Sequence, residues 1–194
     1  MTKQVEFFYD FGSPTSYLAY TQLPAVAARR GAEIIWRPIL LGGVFKASGN
    51  RSPIEVAAKG AYMGVDMARF AKRYGVRFAM NPYFPINTLA LMRGAVAATE
   101  DGYHDAYTDA VFPAMWAELK NMGEPAIVAA VLAGAGIDAE AMMARIAEPS
   151  IKDKLKTETE AAAARGMFGA PTFFVGDQMF FGQDRLDFVE AALS

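Results

Sequence analysis

The chain contains no cysteine and a single histidine, His104, among its 194 residues. The lack of cysteine excludes disulfides, zinc–thiolate sites and a protein thiol nucleophile. One histidine leaves little room for a histidine-rich metal site, and we therefore predict no metal cofactor. His104 itself lies in a polar Gly-Tyr-His-Asp stretch of a predicted helix, and we interpret it as an ordinary histidine on a surface or helix face.

The charge balance excludes a further class of partner. Nineteen Lys and Arg residues stand against 21 Asp and Glu residues, for a formal net charge of −2. The chain thus lacks the basic excess that binds phosphate backbones, and we do not expect a nucleic acid partner. Apolar stretches such as residues 126–135 fall short of the roughly 20 residues that cross a bilayer. The first residues also lack a secretion signal, so we expect a soluble, cytoplasmic protein with no membrane partner.

The chain opens with the pattern of a βαβ unit. Aromatic and aliphatic residues from Val5 to Phe11 predict a strand that is mostly buried on both faces. A helix is predicted from Pro14 to Arg30, with Gly31 as its stop. Glu33 to Ile39 reads as a second strand, and the connection through one helix makes the two strands parallel.

Residues 41–166 are rich in alanine and methionine and have a helical pattern. A strand pattern returns only near the end of the chain. Predicted helices cover residues 54–74, 87–99, 103–121, 125–133, 139–147 and 150–165. Two strands, Thr172–Val175 and Gln178–Phe181, flank a Gly-Asp turn. Asp184 then offers a helix N-cap to a closing helix. We therefore predict an α/β fold in which residues 1–40 and 167–194 form one domain and residues 41–166 form an all-helical insertion.

Two short segments indicate the chemistry. An apolar strand runs directly into a Ser13-x-x-Ser16 tetrad at the start of a helix, and Ala170-Pro171 precedes a late strand. This is the arrangement of a thioredoxin-like redox site, with its cis-proline loop opposite the first helix, from which both sulfurs are missing. The thiol must then come from a bound cofactor. Glutathione is the obvious candidate, with Ser13 holding it as a thiolate.

Simple energetics support a hydroxyl in that role. Lowering an ordinary thiol pKa of about 8.5 by about two units takes roughly 2.7 kcal/mol. A helix N-terminus supplies about 0.3 to 1 kcal/mol, and a hydrogen bond to a charged group supplies roughly 1.5 to 3 kcal/mol. The two together suffice, and the Ser13 hydroxyl keeps its own proton throughout.

Two other interpretations of Ser13 stay open. A nucleophilic serine requires a nearby base, but the sequence around Ser13 lacks a Gly-x-Ser-x-Gly elbow, and His104 is the sole candidate imidazole. Ser13 also has the residue type and position of a plain helix N-cap ahead of Pro14.

Taken together, the motifs resemble the glutathione-dependent branch of the DsbA-like thioredoxin superfamily, which contains kappa-class glutathione transferases and 2-hydroxychromene-2-carboxylate isomerases. The resemblance covers nearly the whole chain. Its marks are Asp10-Phe-Gly-Ser-Pro-Thr-Ser-Tyr17, Ser48-Gly-Asn50, Lys59-Gly-Ala-Tyr62, Asn87-Thr-Leu89, Phe168-Gly-Ala-Pro-Thr172 and Phe181-Gly-Gln-Asp-Arg-Leu186.

The resemblance implies a role for each residue of the site. Ser13 would stabilise the glutathione thiolate. The cofactor would be bound by the backbone of Ala170 beside Pro171, by Gln183 and Asp184 at its γ-glutamyl end, and by Asn50 and Lys59 from the helical block. Asn87 matches a position near the substrate pocket. Taken singly, Asp184 also fits an N-cap, Asn50 a turn residue and Lys59 a solvated charge.

The function implied is a glutathione-dependent isomerase that converts 2-hydroxychromene-2-carboxylate to trans-o-hydroxybenzylidenepyruvate in the breakdown of naphthalene-like aromatics. A kappa-class transferase is the first alternative, and a non-catalytic thioredoxin-like module that binds glutathione or peptides is the second. The resemblance also implies a homodimer. The substrate carboxylate needs a partner, for which Lys46, Lys59, Arg93 and Asn87 are the candidates. A disulfide oxidoreductase is excluded because the chain has no thiol to cycle.

Overall fold

The computed structural model describes residues 3–194, and within them four strands form one mixed sheet. The strands are β1 (Gln4–Tyr9), β2 (Glu33–Pro38), β3 (Thr172–Val175) and β4 (Gln178–Phe181). Their order across the sheet is β2-β1-β3-β4. β1 and β2 are parallel, whereas β3 is antiparallel to both β1 and β4. The predicted α/β class and the parallel βαβ opening are therefore confirmed.

Nine α-helices lie within residues 3–194. They are α1 (Pro14–Arg30), α2 (Leu41–Ser48), α3 (Ala57–Tyr74), α4 (Leu89–Glu100), α5 (His104–Trp116), α6 (Pro125–Gly134), α7 (Ala139–Ala147), α8 (Pro149–Ala164) and α9 (Leu186–Ala192). Two short 3₁₀ turns, Pro53–Glu55 and Gln183–Arg185, complete the set.

The first helix has the end signals that its sequence suggests. Ser13 is the N-cap of α1, and its Oγ accepts a hydrogen bond from the Ser16 amide. Pro14 occupies the first turn, where no intrahelical partner for its nitrogen is needed. Gly31 ends the helix in the left-handed conformation with φ of 61°, which a residue without a Cβ adopts readily.

Three helix predictions need correction. The predicted helix at residues 54–74 begins at Ala57, because Ser52 and Glu55 close a separate capped 3₁₀ turn and Val56 is extended. The predicted helix at residues 103–121 ends at Trp116, and Leu119 takes a left-handed φ of 59° that cannot continue it. Asp184 is not an N-cap, because it lies inside the second 3₁₀ turn and Arg185 precedes α9.

Helix α2 was not predicted as a helix because Gly42 and Gly43 in its first turn weaken its local propensity. Its N-terminal amides are instead paired by distant side chains. The Leu41 amide donates to Asp10 Oδ2 over 2.8 Å, and the Leu40 amide donates to Thr159 Oγ1 over 3.0 Å. Contacts between distant parts of the chain therefore decide the start of this helix.

The sheet separates two hydrophobic clusters, since alternate residues of β1 face opposite sides. Val5, Phe7 and Tyr9 belong to the larger cluster with most of the helices, whereas Phe8 packs with Phe174 on the other face. β1 is thus mostly buried on both faces, as predicted. The larger cluster takes residues from both the sheet and the helical block, including Phe173, Met92, Phe112 and Trp116. The division into residues 1–40 with 167–194 and residues 41–166 stays a prediction.

Among residues 3–194, every helix is too short or too polar to traverse a lipid bilayer.

Candidate active site

Ser13 lies at the junction of the loop after β1 and the first turn of α1. It is 3% exposed, and its amide donates to the Asp10 carbonyl over 2.9 Å. Its Oγ accepts from the Ser16 amide over 3.1 Å and lies 3.0 Å from both the Ala170 carbonyl and Thr15 Oγ1. The hydroxyl therefore sits where the amides of a 17-residue helix concentrate partial positive charge.

The Ala170 carbonyl has a second donor beside Ser13. Thr15 Oγ1 donates to it over 3.2 Å. A hydroxyl carries only one proton to donate. If Ser13 turns its proton toward a ligand atom, Thr15 keeps the carbonyl of Ala170 satisfied. Ser13 is thus free to serve as a donor without leaving a buried carbonyl unpaired.

The loop that faces Ser13 contains the Ala170–Pro171 peptide bond, which is cis as the thioredoxin-like arrangement predicts. A side chain from the helical block holds this loop, since Asn50 Nδ2 donates to the Phe168 carbonyl over 2.8 Å. The Phe168 and Phe181 rings pack 4.6 Å apart behind it. Asn50 therefore joins the helical block to the proline loop, in addition to any contact with a ligand.

These segments surround a cavity of about 340 Å³, here called the Ser13 cavity. Its polar wall is formed by Ser13, Thr15, Asn50, Arg51, Ser52, Asp66, Gln183 and Asp184 together with the backbone of Gly12, Gly169, Ala170 and Gly182. Its apolar wall is formed by Pro14, Leu41, Phe45, Pro53, Ile54, Met63, Met67, Phe84 and Phe181. The cavity thus combines a polar end at the helix N-terminus with a largely apolar remainder.

The structure brings together most of the residues predicted for the site. Ser13, Asn50, Ala170, Gln183 and Asp184 all line the Ser13 cavity. Pro171 adjoins it through the cis bond. Residues that are up to 171 positions apart in the chain therefore meet at one cavity, counting from Ser13 to Asp184.

Gln183 and Asp184 are fixed by the turn that ends β4. The Gln183 carbonyl accepts from the Tyr74 hydroxyl over 3.0 Å, and the residue is buried. Asp184 is exposed, and its Oδ2 pairs with Arg185 Nη1 over 2.6 Å. The buried Gln183 and the exposed carboxylate of Asp184 are thus neighbours at the rim of the Ser13 cavity.

Besides Pro171, two predicted residues lie outside the cavity lining. Lys59 is exposed in the first turn of α3. Asn87 is also exposed, and its Oδ1 accepts from the Leu89 amide at the start of α4. Their ligand-binding roles stay predictions, and in this geometry Asn87 acts on the backbone of its own helix.

A residue that the sequence argument gave no role, Asp10, supports the floor of the site. It is 2% exposed, and its Oδ1 accepts from the Gly12 amide over 2.8 Å and from Thr88 Oγ1 over 2.7 Å. Its Oδ2 accepts from the Leu41 amide over 2.8 Å. One buried carboxylate therefore ties together the Ser13 loop, the start of α2 and the start of α4.

Burial raises the pKa of the Asp10 carboxyl, and the hydrogen bonds from Leu41, Thr88 and Gly12 oppose that shift. Gly12 packs closely here, since a Cβ would lie 3.1 Å from Thr88 Cγ2 and 3.3 Å from Asp10 Oδ1, and these side chains would have to shift by a few tenths of an ångström. The sequence signals were Asp10 at the end of a strand and Thr88 beside Asn87. Neither signal reveals that the two side chains meet.

Arg51 is a second residue that the sequence argument missed. Within residues 3–194 it is the one positively charged residue in the lining of the Ser13 cavity. Lys46 and Arg93, two candidates for binding a substrate carboxylate, line a different cavity instead. The sequence feature that could have identified Arg51 is its position directly after the Ser48-Gly-Asn50 motif.

The interpretation of His104 as an ordinary surface or helix-face histidine is wrong. His104 is 8% exposed, its Nε2 lies 2.9 Å from the Tyr9 hydroxyl, and its Nδ1 lies 3.1 Å from Asp105 Oδ1. Burial lowers its pKa, and Asp105 partly opposes the shift. His104 does not line the Ser13 cavity, so this geometry offers no imidazole base for a nucleophilic serine.

The sequence profile described as a DSBA-like thioredoxin domain matches residues 4–194. The chain belongs to the DsbA-like thioredoxin family. The predicted DsbA-like fold is therefore confirmed, in a chain that has no cysteine and carries Ser13 and Ser16 at the start of α1.

Within this family, the chain is similar over its full length to named enzymes. It is 36% identical to 2-hydroxychromene-2-carboxylate isomerase of Sphingobium xenophagum, an alignment that covers 100% of this chain and 99% of the relative. It is 29% identical to glutathione S-transferase kappa 1 of Homo sapiens, over 96% of this chain and 89% of that protein. A solved 2-hydroxychromene-2-carboxylate isomerase superposes with a TM-score of 0.88 at 32% identity, covering 98% and 94% of the two chains. The predicted resemblance and the expectation of an isomerase-like enzyme are thus confirmed.

Proposed function

We propose that this DsbA-like protein is a glutathione-dependent isomerase that acts on 2-hydroxychromene-2-carboxylate or a closely related aromatic carboxylate. The observation that carries the proposal is the Ser13 hydroxyl, held at the N-terminus of α1 and facing the Ala170 carbonyl in a chain without cysteine. The full-length similarity to named isomerases supports the reaction type. The similarity to a kappa-class glutathione transferase supports the cofactor.

When bound, glutathione would supply a thiolate that adds reversibly to a conjugated, ring-opened substrate and so allows rotation about its former double bond. Ser13 would donate its hydroxyl proton to that sulfur, and the first-turn amides of α1 would add their partial positive charge. Thr15 would hold the Ala170 carbonyl while Ser13 is so engaged. Ser13 and the first-turn amides therefore stabilise the thiolate anion and form no covalent bond to the substrate.

The remaining polar groups suit the two ends of the tripeptide. Asp184 at the rim would pair with the γ-glutamyl amino group, next to the amide of Gln183. The backbone of Ala170 before Pro171 would pair with the cysteinyl part in the manner of an added strand. Asn50 would contact the cofactor from the opposite side of the proline loop.

The apolar wall and Arg51 suit an aromatic carboxylate. Phe45, Ile54 and Met63 offer a surface for an aromatic ring, and methionine adapts to irregular shapes. The Arg51 guanidinium has the planar geometry that binds a carboxylate through two hydrogen bonds. We propose that Arg51 binds the substrate carboxylate, in place of Lys46 and Arg93.

The proposal is tested with Ser13→Ala and a matched control, Ser16→Ala. Ser13 is the N-cap of α1 and Ser16 lies in its first turn, where the buried Ser16 Oγ has no hydrogen-bond partner among residues 3–194. Calorimetry and the ultraviolet absorbance of bound thiolate measure tripeptide affinity and thiol pKa. We expect Ser13→Ala to bind glutathione, to raise its thiol pKa by about one unit or more, and to lose about 10- to 100-fold in turnover, the value of one hydrogen bond to a charged group. Ser16→Ala should stay close to the wild type.

A thiol pKa unchanged in Ser13→Ala would contradict the role of Ser13. The reaction type is tested separately, by supplying glutathione with the hydroxychromene carboxylate or with a chlorinated aromatic. An isomerase regenerates free thiol with the first compound, whereas consumption of thiol would identify a transferase. A homodimer is part of the proposal, and sedimentation velocity measures it.

A further inference from the structure

A second cavity, of about 560 Å³, lies between α2, α4 and α8 and is here called the α2–α8 cavity. None of its lining residues is shared with the Ser13 cavity. Helix α2 separates the two, because Leu41 and Phe45 line the Ser13 cavity whereas Lys46 and Ala47 line the α2–α8 cavity. The two cavities can therefore be probed independently.

The α2–α8 cavity is positively charged although the whole chain is not. Lys46, Arg93, Lys152 and Lys156 line it, against the carboxylates of Asp153 and Glu160, which is four positive charges against two negative. The formal charge of the chain is −2. A local excess of this kind attracts small anions.

These cations are poorly paired within the described part of the chain. Lys156 reaches Glu160 at 4.0 Å, between two side chains that are largely exposed. Lys46, Arg93 and Lys152 form no ion pair with any residue in the range 3–194. The Arg93 Nε atom is buried and has no hydrogen-bond partner in that range. Three cations that line one cavity thus lack an anionic partner in that range, which points to an anionic ligand.

The rest of the wall is apolar. Leu40, Leu89 and Leu155 line the cavity together with Ala47. Close packing of α2 on α8 fixes this wall, since a Cβ at Gly43 would lie 2.9 Å from Thr159 Cγ2. The Thr159 hydroxyl is itself engaged, accepting from the Leu40 amide and donating to the Leu155 carbonyl. The walls therefore favour a ligand with an apolar body.

We infer that the α2–α8 cavity is a second binding site, separate from the Ser13 cavity, for an organic anion that joins a carboxylate to an aromatic or alkyl body. Arg93 binds the carboxylate through the terminal nitrogens of its guanidinium group. Lys46 and Lys152 add charge at the mouth, and the leucines contact the apolar body. The site requires no glutathione.

The test is a titration of the ¹⁵N-labelled protein with sodium trans-cinnamate, followed through residue-specific amide shifts, with and without saturating glutathione. We expect shifts at residues 43–47 and 152–156 whose midpoint is the same in both conditions. In Arg93→Gln the midpoint should rise at least tenfold. Arg77→Gln, which removes an exposed arginine outside both cavities, should leave it unchanged. Lys152→Gln is a milder variant, and we expect its midpoint to rise about threefold.

Several results would overturn this inference. One is a set of shifts confined to residues 12–15 and 181–184, which would place the carboxylate in the Ser13 cavity only. Another is an unchanged midpoint in both Arg93→Gln and Lys152→Gln. A third is inorganic phosphate binding at residues 43–47 as tightly as cinnamate, because the apolar wall would then contribute nothing. Failure of the glutathione proposal affects none of these measurements, since they follow the two cavities separately.

Discussion

Two buried polar clusters flank the end of β1, and they differ in what they hold. Tyr9 and Asp10 are consecutive in the chain, so their side chains diverge. The Tyr9 hydroxyl meets His104 in the aromatic core, where the His104 ring also lies 4.9 Å from Trp36. The Asp10 carboxylate instead accepts hydrogen bonds from two backbone amides and from Thr88 at the floor of the Ser13 cavity.

Both clusters bury a titratable group at a cost to its charged form. Burial raises the pKa of Asp10 and lowers the pKa of His104. Two of the three partners of Asp10 are backbone amides of residues that line the Ser13 cavity, whereas both partners of His104 are side chains outside it. The comparison teaches that burial alone does not mark a functional group. What matters is which backbone the buried group positions.

The largest expected effect that separates the clusters comes from Asp10→Ala. This change leaves the Gly12 and Leu41 amides and the Thr88 hydroxyl without their acceptor. Unpaired buried donors cost about 1 to 3 kcal/mol each, partly offset because an unfavourably buried carboxylate is removed. We expect a loss of about 3 kcal/mol in the free energy of unfolding by urea denaturation, and at least tenfold weaker glutathione binding by calorimetry.

Thr88→Val is the companion variant in case Asp10→Ala does not fold. It removes one hydrogen bond to Asp10 at nearly constant side-chain volume, so we expect a loss of about 1 kcal/mol. Glutathione binding should weaken in the same direction but less. Wild-type affinity in a folded Asp10→Ala protein would show that Asp10 does not position the Ser13 loop.

Tyr9→Phe makes the corresponding change in the other cluster and should have a smaller effect. It removes only the hydroxyl and leaves His104 Nε2 without its partner at 2.9 Å. We expect a loss of about 1 to 2 kcal/mol in the free energy of unfolding. Glutathione affinity should be that of the wild type, since neither Tyr9 nor His104 lines the Ser13 cavity. Weakened binding here would contradict the division of roles between the clusters.

Local sequence patterns predicted most of the fold because the same backbone preferences and apolar patterns determine these elements in the folded protein. Pro14 and Gly31 bound α1 as their backbone preferences require, and alternating aromatic residues bury β1 on both faces. The helix that was not predicted is the one whose start is decided by distant contacts. Helix α2 begins where Asp10 and Thr159 pair its first amides, and no local pattern around Gly42 shows this.

The candidate site was predictable where one short motif carries both position and chemistry. Ser13 at a strand-to-helix junction and Ala170-Pro171 before a strand are such motifs, and the structure brings them within 3.0 Å. Arg51 and Thr88 were missed because their importance depends on what their side chains contact in the folded chain: Arg51 lines the Ser13 cavity, and Thr88 donates to Asp10. Each is next to a residue to which the resemblance gives a role. The motifs therefore predicted the correct segments of the site but not all of its side chains.

The smallest predicted effect is the pH response of His104. Its folded pKa lies below the ordinary value of about 6.5, so below that pH the unfolded chain binds a proton that the folded chain does not. This group should therefore make folding stability fall as pH drops from about 7.5 to 5.5. In His104→Gln, that part of the loss should disappear from urea unfolding curves measured across the same range.

The stability contribution of Asp10 changes with pH in the opposite sense. The quantity to compare is therefore the difference in unfolding free energy between the wild type and His104→Gln. The raised pKa of Asp10 means that the folded chain takes up a proton more readily than the unfolded chain, so this group favours folding as pH falls through its folded pKa. Because the Asp10 contribution is present in both proteins, it cancels when the His104→Gln curve is subtracted from that of the wild type. Parallel curves would show that His104 keeps an ordinary pKa in the folded chain, and would contradict the lowered pKa that its burial implies.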